Sequence, residues 1–221
     1  MNIIYEDNHL LIVNKPSGML AQGDETGDMP LAEHAKLYLK EQYNKQGNIF
    51  CGVVHRLDRP VSGLVVLAKT SKALERMNLL FQQRQVQKTY WAIVKKRPMQ
   101  DEGHLTHWLL KDSAKNMVKA YAKEVAGSQK AELDFKVLRE HEGHYLLEVN
   151  PITGRPHQIR VQLASLGAII KGDLKYGFPI AAPDGRIYLH SRSIHFVHPV
   201  QKQEMYFEAA LPEDRFWQLF R

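Results

Sequence analysis

The chain has 221 residues, of which 44% are hydrophobic, 24% charged and 9% aromatic, a length that fits one domain or a close pair. Thirty Lys and Arg against 24 Asp and Glu leave a net charge of +6. That balance excludes a disordered chain, a fibrous repeat and a coiled coil, and the longest apolar runs, Leu64–Ala68 and Leu166–Ile170, fall far short of the ~18 residues of a membrane-spanning helix. The first 25 residues hold Glu6, Asp7, Asp24 and Glu25 but no Arg, which argues against a signal or transit peptide. A lone Cys51 leaves no partner for an internal disulfide or a thiolate zinc cage and reads as a small buried hydrophobe. The expectation is a soluble cytoplasmic protein, with residues 1–221 forming a single domain and no membrane contact.

In chain order, Asn2–Tyr5 and His9–Asn14 read as short strands around an Glu6–Asn8 turn. Pro30 opens a helix with Leu31, Ala35, Tyr38 and Leu39 on one face. Val53–Val54 and Leu64–Ala68 follow as buried strands, and Ser71 is placed to cap a helix striped by Leu74, Met77, Leu80 and Phe81. Lys88–Lys95, Lys130–Leu138 and Tyr145–Val149 alternate as half-buried strands, the last two joined by a turn at 139–143. Pro156 marks a helix start ahead of Ile159, Leu163 and Leu166, with Gly167 past its end. Strands at Tyr188–Leu189, Ile194–Val197 and Glu204–Phe207 precede a helix from about Pro212. Strands outnumber helices without alternating with them, so the fold class is α+β with a mixed, mostly antiparallel central sheet and flanking helices.

Charge is concentrated. Between Lys69 and Arg97 stand eight Lys and Arg against Glu75 alone, with Tyr90 and Trp91 inside the stretch. Basic groups beside aromatics suit a nucleic acid, whose phosphates take the charge and whose bases stack on rings; a solvated helix face and a Lys-guarded edge strand would look the same.

Two segments gather chemistry. The loop from His55 to Gly63 hangs one imidazole, two guanidiniums and a carboxylate between hydrophobic strands. Asp58 lies between Arg56 and Arg59, which favour its carboxylate form and leave it competent as nucleophile or base; a turn-capping Asp is the plainer alternative. The segment Thr153–Arg160 feeds a helix N-terminus, with Arg155, His157 and Arg160 on or beside its first turn. His157 and Arg160 are three apart, so they share a face and could point at one site. The pairs His104/His107, His141/His144 and His195/His198 put their rings on opposite faces of a strand, and no H-E-x-x-H or carboxylate cluster accompanies them, so no metal is expected.

Together these segments resemble the RluA-type pseudouridine synthase family. His55–Leu64 is similar to the family signature that carries its essential Asp, Thr153–Arg160 to the later motif whose final Arg pairs with that Asp, and Lys88-Thr-Tyr-x-Ala92 to the segment with its active-site Tyr. Asp7–Leu10, Asn14–Gly18, Gly172-Asp173 with Tyr176-Gly177, Leu189-His190 and His198-Pro199 fall in the family's order, so the likeness runs from about residue 3 to 210. Val61 and Pro156 stand where the family usually or often has Thr. The pattern begins by residue 3, as in compact members without an N-terminal RNA-binding domain.

The resemblance implies the pseudouridine synthase fold and isomerisation of uridine in transfer RNA, ribosomal RNA or both, by a monomer without cofactor or metal. The target base leaves the stack, at a cost of a few kcal/mol. The likeness makes Asp58, Tyr90 and Arg160 catalytic. Asp58 attacks sugar or base or abstracts a ribose proton, Tyr90 stacks on the flipped base, and Arg160 holds Asp58. Arg56 fills the vacated space, Ile159 walls the pocket, and Arg59, Arg155, Lys15 and Lys171 hold phosphates or are solvated. Two other readings compete: a non-catalytic RNA-binding or ribosome-assembly protein on the same scaffold, and a retaining glycosidase, which would need a second carboxyl group.

Overall fold

A hairpin opens the chain. Strand β1 (Asn2–Glu6) pairs antiparallel with β2 (Leu10–Lys15), and Asp7 closes the turn by accepting the N–H groups of His9 and Leu10, each at 2.7 Å. In the computed structural model, which describes residues 1–221, the chain divides into two compact units, Met1–Gln87 with Ser191–Pro212 and Lys88–His190 with Glu213–Arg221.

In the first unit, helix α1 (Leu31–Gln42) starts after Pro30 and buries Leu31, Ala35 and Leu39. Strand β3 (Gly52–Val53) and β2 both pair antiparallel with β4 (Ser62–Ala68), whose seven residues are all buried. Burial on both faces explains why β4 reads as an unbroken apolar run rather than an alternation. Helix α2 (Ser71–Gln82) is capped by Thr70, not Ser71: the Thr70 hydroxyl accepts the Ala73 N–H at 3.1 Å and Ser71 is the first helical residue. After the second unit, β10 (Leu189–Val197) and β11 (Glu204–Glu208) complete the ladder order β1-β2-β4-β10, with β11 antiparallel on β10. Leu10, Ile12, Leu64, Val66, Met77 and Phe196 form its core.

The second unit is an antiparallel sheet in the order β5-β9-β8-β6-β7: β5 (Gln87–Val94), β6 (Glu102–Asp112), β7 (Met117–Tyr121), β8 (Gln129–His141) and β9 (His144–Pro151). Strands β6 and β7 have no counterpart in the pattern reading. Leu109 and Val118 are the buried side chains of these two strands, so backbone pairing defines them more than an apolar alternation. Leu109 and Val118 pack with Ala131 and Val161 beneath helix α3 (Gln158–Ser165). That helix starts two residues after Pro156, because His157 adopts a left-handed conformation (φ 50°). A single turn of 3-10 helix follows at Leu174–Tyr176. The last helix, α4 (Arg215–Gln218), is one turn capped by Asp214, beginning later than Pro212, and it buries Trp217. The α+β class with a mostly antiparallel sheet is the architecture expected from sequence. No helix is long and apolar enough to cross a membrane.

Candidate active site

The His55–Gly63 loop is fixed at both ends. At its start, His55 Nε2 accepts the Val66 N–H at 3.1 Å, which puts the ring proton on Nδ1, and the ring stacks on Phe81 with centroids 5.0 Å apart. At its end, Gly63 has φ 114°, and a Cβ there would lie 2.3 Å from the Ser191 carbonyl oxygen; only glycine lets β4 come this close to β10. Between them, Asp58 O accepts the Val61 N–H at 3.0 Å, and Val61 itself, where the family usually has Thr, is buried.

A second loop braces the first. Arg59 O accepts the Gly18 N–H at 2.8 Å, Arg59 Nε returns a bond to Gly18 O at 3.0 Å, and its NH2 meets Asp28 at 2.6 Å. Lys15 is fully buried and donates to Met19 O (2.8 Å), Pro16 O (3.0 Å) and Arg59 O (3.4 Å). Burial pushes the Lys15 ammonium down to about 7, against the pull of Asp58. The expectation of Lys15 as a phosphate-holding or solvated cation is therefore corrected: its ammonium spans the two loops from inside. Arg59 likewise is committed to Asp28 and Gly18. Arg56 points outward and is exposed, and Asp58 is half-buried.

In the second unit, Tyr90 lies buried on β5 opposite Val149. Lys88, two residues earlier on the same face, extends its Nζ to within 3.9 Å of where a Gly154 Cβ would stand, and burial lowers its pKa. The turn at 153–158 is closed by side chains. Thr153 Oγ1 accepts the Glu132 N–H (2.9 Å) and donates to Gln158 Oε1 (2.7 Å), which also accepts the Arg155 N–H (3.0 Å). Arg155 Nε donates to Lys130 O at 3.1 Å, and Ile159 is buried.

Arg160 is sealed from solvent and holds Asp173 at two points, Nε to Oδ2 at 2.7 Å and NH2 to Oδ1 at 2.8 Å. Its guanidinium also lies 5.1 Å from the Tyr176 ring centre. The Tyr176 hydroxyl accepts the Val118 N–H at 3.1 Å and meets His157 Nδ1 at 2.8 Å. His157 is not helical, so the shared helical face is corrected, but His157 and Arg160 do converge, on Tyr176. Lys171 rests over the Phe216 ring, 3.8 Å from its centre, and 3.4 Å from His144 Nε2. Asp173 and Tyr176 carried no chemical role in the sequence reading; their spacing from each other was visible, their meeting with Arg160 was not. No three His, Cys, Asp or Glu side chains gather as a metal site would.

The sequence model of the RNA pseudouridylate synthase family matches residues 9–165. Over 221 residues the chain is 31% identical to the ribosomal large subunit pseudouridine synthase C of Vibrio cholerae serotype O1, covering 95% of this chain and 65% of that protein. The chain thus spans about two thirds of the length of that relative. Against the tRNA pseudouridine synthase C of Vibrio parahaemolyticus serotype O3:K6 the identity is 30% over 238 residues, covering 100% of this chain and 94% of that one. Among solved structures, human RNA pseudouridylate synthase domain containing 4 is similar with a TM-score of 0.80 and 25% identity, over 98% of this chain and 90% of that chain.

Proposed function

The chain belongs to the RNA pseudouridylate synthase family, as its resemblance to the RluA-type members led us to expect, and we propose that it isomerises uridines in ribosomal or transfer RNA to pseudouridine. The carrying observation is the fixing of the Asp58 loop, from His55 at one end, Gly63 at the other and Lys15 and Gly18 across its middle. A reacting carboxylate needs a rigid mount, because misplacement by about 1 Å can cost a factor of 10² in rate.

In the reaction the bond from ribose C1′ to uracil N1 breaks and one from C1′ to C5 forms. The C5 proton is lost and N1 gains one, so nothing is oxidised and no group leaves the nucleotide. Asp58 acts on the ribose or the base to start this exchange, and the later motif contributes the Arg160 guanidinium. Tyr90 offers a ring for the flipped base, Ile159 an apolar wall, and Arg56 an exposed planar cation for the space the base vacates. Arg155 contributes charge for the RNA backbone.

Pseudouridine mapping tests this on total RNA from cells lacking the gene, treated with wild-type protein or Asp58→Asn. New pseudouridines made by the wild type alone are expected, and their positions name the substrate. Identical maps from two folded, RNA-binding proteins would remove the activity and leave a non-catalytic RNA-binding protein.

A further inference from the structure

Eight cations crowd the stretch from Lys69 to Arg97, and the structure sorts them. Lys69 is taken by Glu6 and Arg97 by Asp101, each at 2.6 Å. Lys88 is sunk against the turn at Gly154, Lys95 lies against Gly143, and Lys96 leans on Gly167. Lys72, Arg76 and Arg84 remain: all three are exposed on α2 or at its end, with no acid in ion-pair range. Lys72 and Arg76 are four apart and so stack on one face of the helix. Arg56 is also exposed, and its neighbour His55 stacks on Phe81 near the end of the same helix.

The end of α2 supplies an independent observation. Helices α1, α2 and α3 all terminate in the same pair of backbone bonds. In α1 the Asn44 and Lys45 N–H groups bond back to Glu41 O and Lys40 O; in α2 those of Arg84 and Gln85 bond to Phe81 O and Leu80 O; in α3 those of Gly167 and Ala168 bond to Ala164 O and Leu163 O. This termination puts one residue in the left-handed region, where glycine sits without strain and asparagine at modest cost. Asn44 (φ 45°) and Gly167 (φ 73°) follow that rule; Arg84 (φ 58°) does not. Glu142 and Lys202 hold the same conformation elsewhere in the chain; at Arg84 it sets an exposed guanidinium at the helix end.

We propose that Arg84, Arg76 and Lys72, continued by Arg56, form a phosphate track along α2 that leads an RNA strand to the Asp58 loop. The proposal rests on the reading of the chain as an RNA-modifying enzyme. From residue 72 to the helix end at residue 82 the track runs about 15 Å at 1.5 Å per residue, enough for a few nucleotides. Exposed, unpaired guanidiniums and ammonium groups attract phosphates of any sequence, so the track sets affinity and direction, while the choice of uridine lies elsewhere.

The test uses the full chain and filter binding of unmodified transcripts, a tRNA pool and a fragment of large-subunit ribosomal RNA, across a salt series. Each phosphate contact removed should shallow the slope of log affinity against log salt by about 0.7 to 0.9. Arg84→Gly should lose one such step while melting at or above the wild-type temperature, since glycine relaxes the left-handed position; misfolding then cannot explain the loss. Arg84→Lys should keep the slope, Lys72→Ala with Arg76→Ala should lose two steps, and Lys36→Ala, whose lysine pairs with Glu33, should lose none. Unchanged slopes in Arg84→Gly and in the double variant would overturn the track. Because these slopes are read without turnover, a wild-type protein that binds RNA but makes no pseudouridine would end the enzymatic reading alone.

Discussion

Arg160 and Asp173 form a two-point ion pair with both partners sealed from water, and a guanidinium held this way cannot rotate. Asp173→Asn keeps the shape and removes the charge, which leaves Arg160 a buried cation short of its counter-charge. Losing one partner of such a pair costs about 3–5 kcal/mol. Urea unfolding of the variant should show a loss of that order, and single-turnover pseudouridine formation should slow with it. Arg160→Lys should fare little better, since an ammonium cannot make the parallel bonds. A loss under about 1 kcal/mol in Asp173→Asn, below the range for breaking a buried pair, would mean that the pair is dispensable.

Gly63 sets the end of the Asp58 loop by letting two backbones meet. In Gly63→Ala the new Cβ would stand 2.3 Å from Ser191 O and 2.5 Å from Ser191 N, backbone atoms of a central strand that have no rotamer to change. Adding the left-handed φ, the cost is on the order of 3 kcal/mol or more. Thermal unfolding should show a marked drop in melting temperature, or soluble protein should not accumulate. A variant as stable as the wild type would show that β4 and β10 can separate here without consequence.

What the sequence disclosed and what it hid divide along physical lines. Strand β4, helix α1 and the loop between His55 and Gly63 were legible because their signals are local: an apolar run, a proline at a helix start, a polar break between strands. Strands β6 and β7 were not, since few of their side chains are buried and pairing lies in the backbone. Lys15 read as a surface cation, because nothing in its neighbours announces three carbonyls waiting inside the fold. The Arg160–Asp173 pair spans 13 residues through a turn, beyond any periodicity. At α3 the proline suggested a start that His157 postpones by turning left-handed.

Tyr176 joins two tasks that separate substitutions should resolve. Its hydroxyl meets His157 Nδ1 and accepts the Val118 N–H, and its ring lies against the Arg160 guanidinium. Tyr176→Phe removes the hydroxyl and keeps the ring, so stability should fall by about 1–3 kcal/mol, the cost of depriving buried polar groups of a partner, with the single-turnover rate little changed. Tyr176→Leu removes both and should slow the reaction as well. Equal rates in the two variants would take the ring out of the positioning of Arg160.

Lys15 gives the protein a pH dependence of predictable sign. Burial lowers its folded pKa to about 7 against an ordinary value of 10.5, with Asp58 pulling the other way. Below pH 7 the folded and unfolded chains both carry the proton, and the full penalty of a buried ammonium is present. Between pH 7 and 10.5 the unfolded chain holds a proton that the folded one has released, so raising the pH favours the folded state, by up to about 1.4 kcal/mol per unit. Lys15→Met cannot titrate. Urea unfolding from pH 6 to 10 should therefore show the wild type gaining on Lys15→Met as the pH climbs past 7. In an Asp58→Asn background the gain should begin at lower pH, because the carboxylate that favours the ammonium is gone. A flat difference across this range would mean that the carbonyls of Pro16, Met19 and Arg59 keep the ammonium charged, leaving Lys15 as a fixed positive charge beside Asp58.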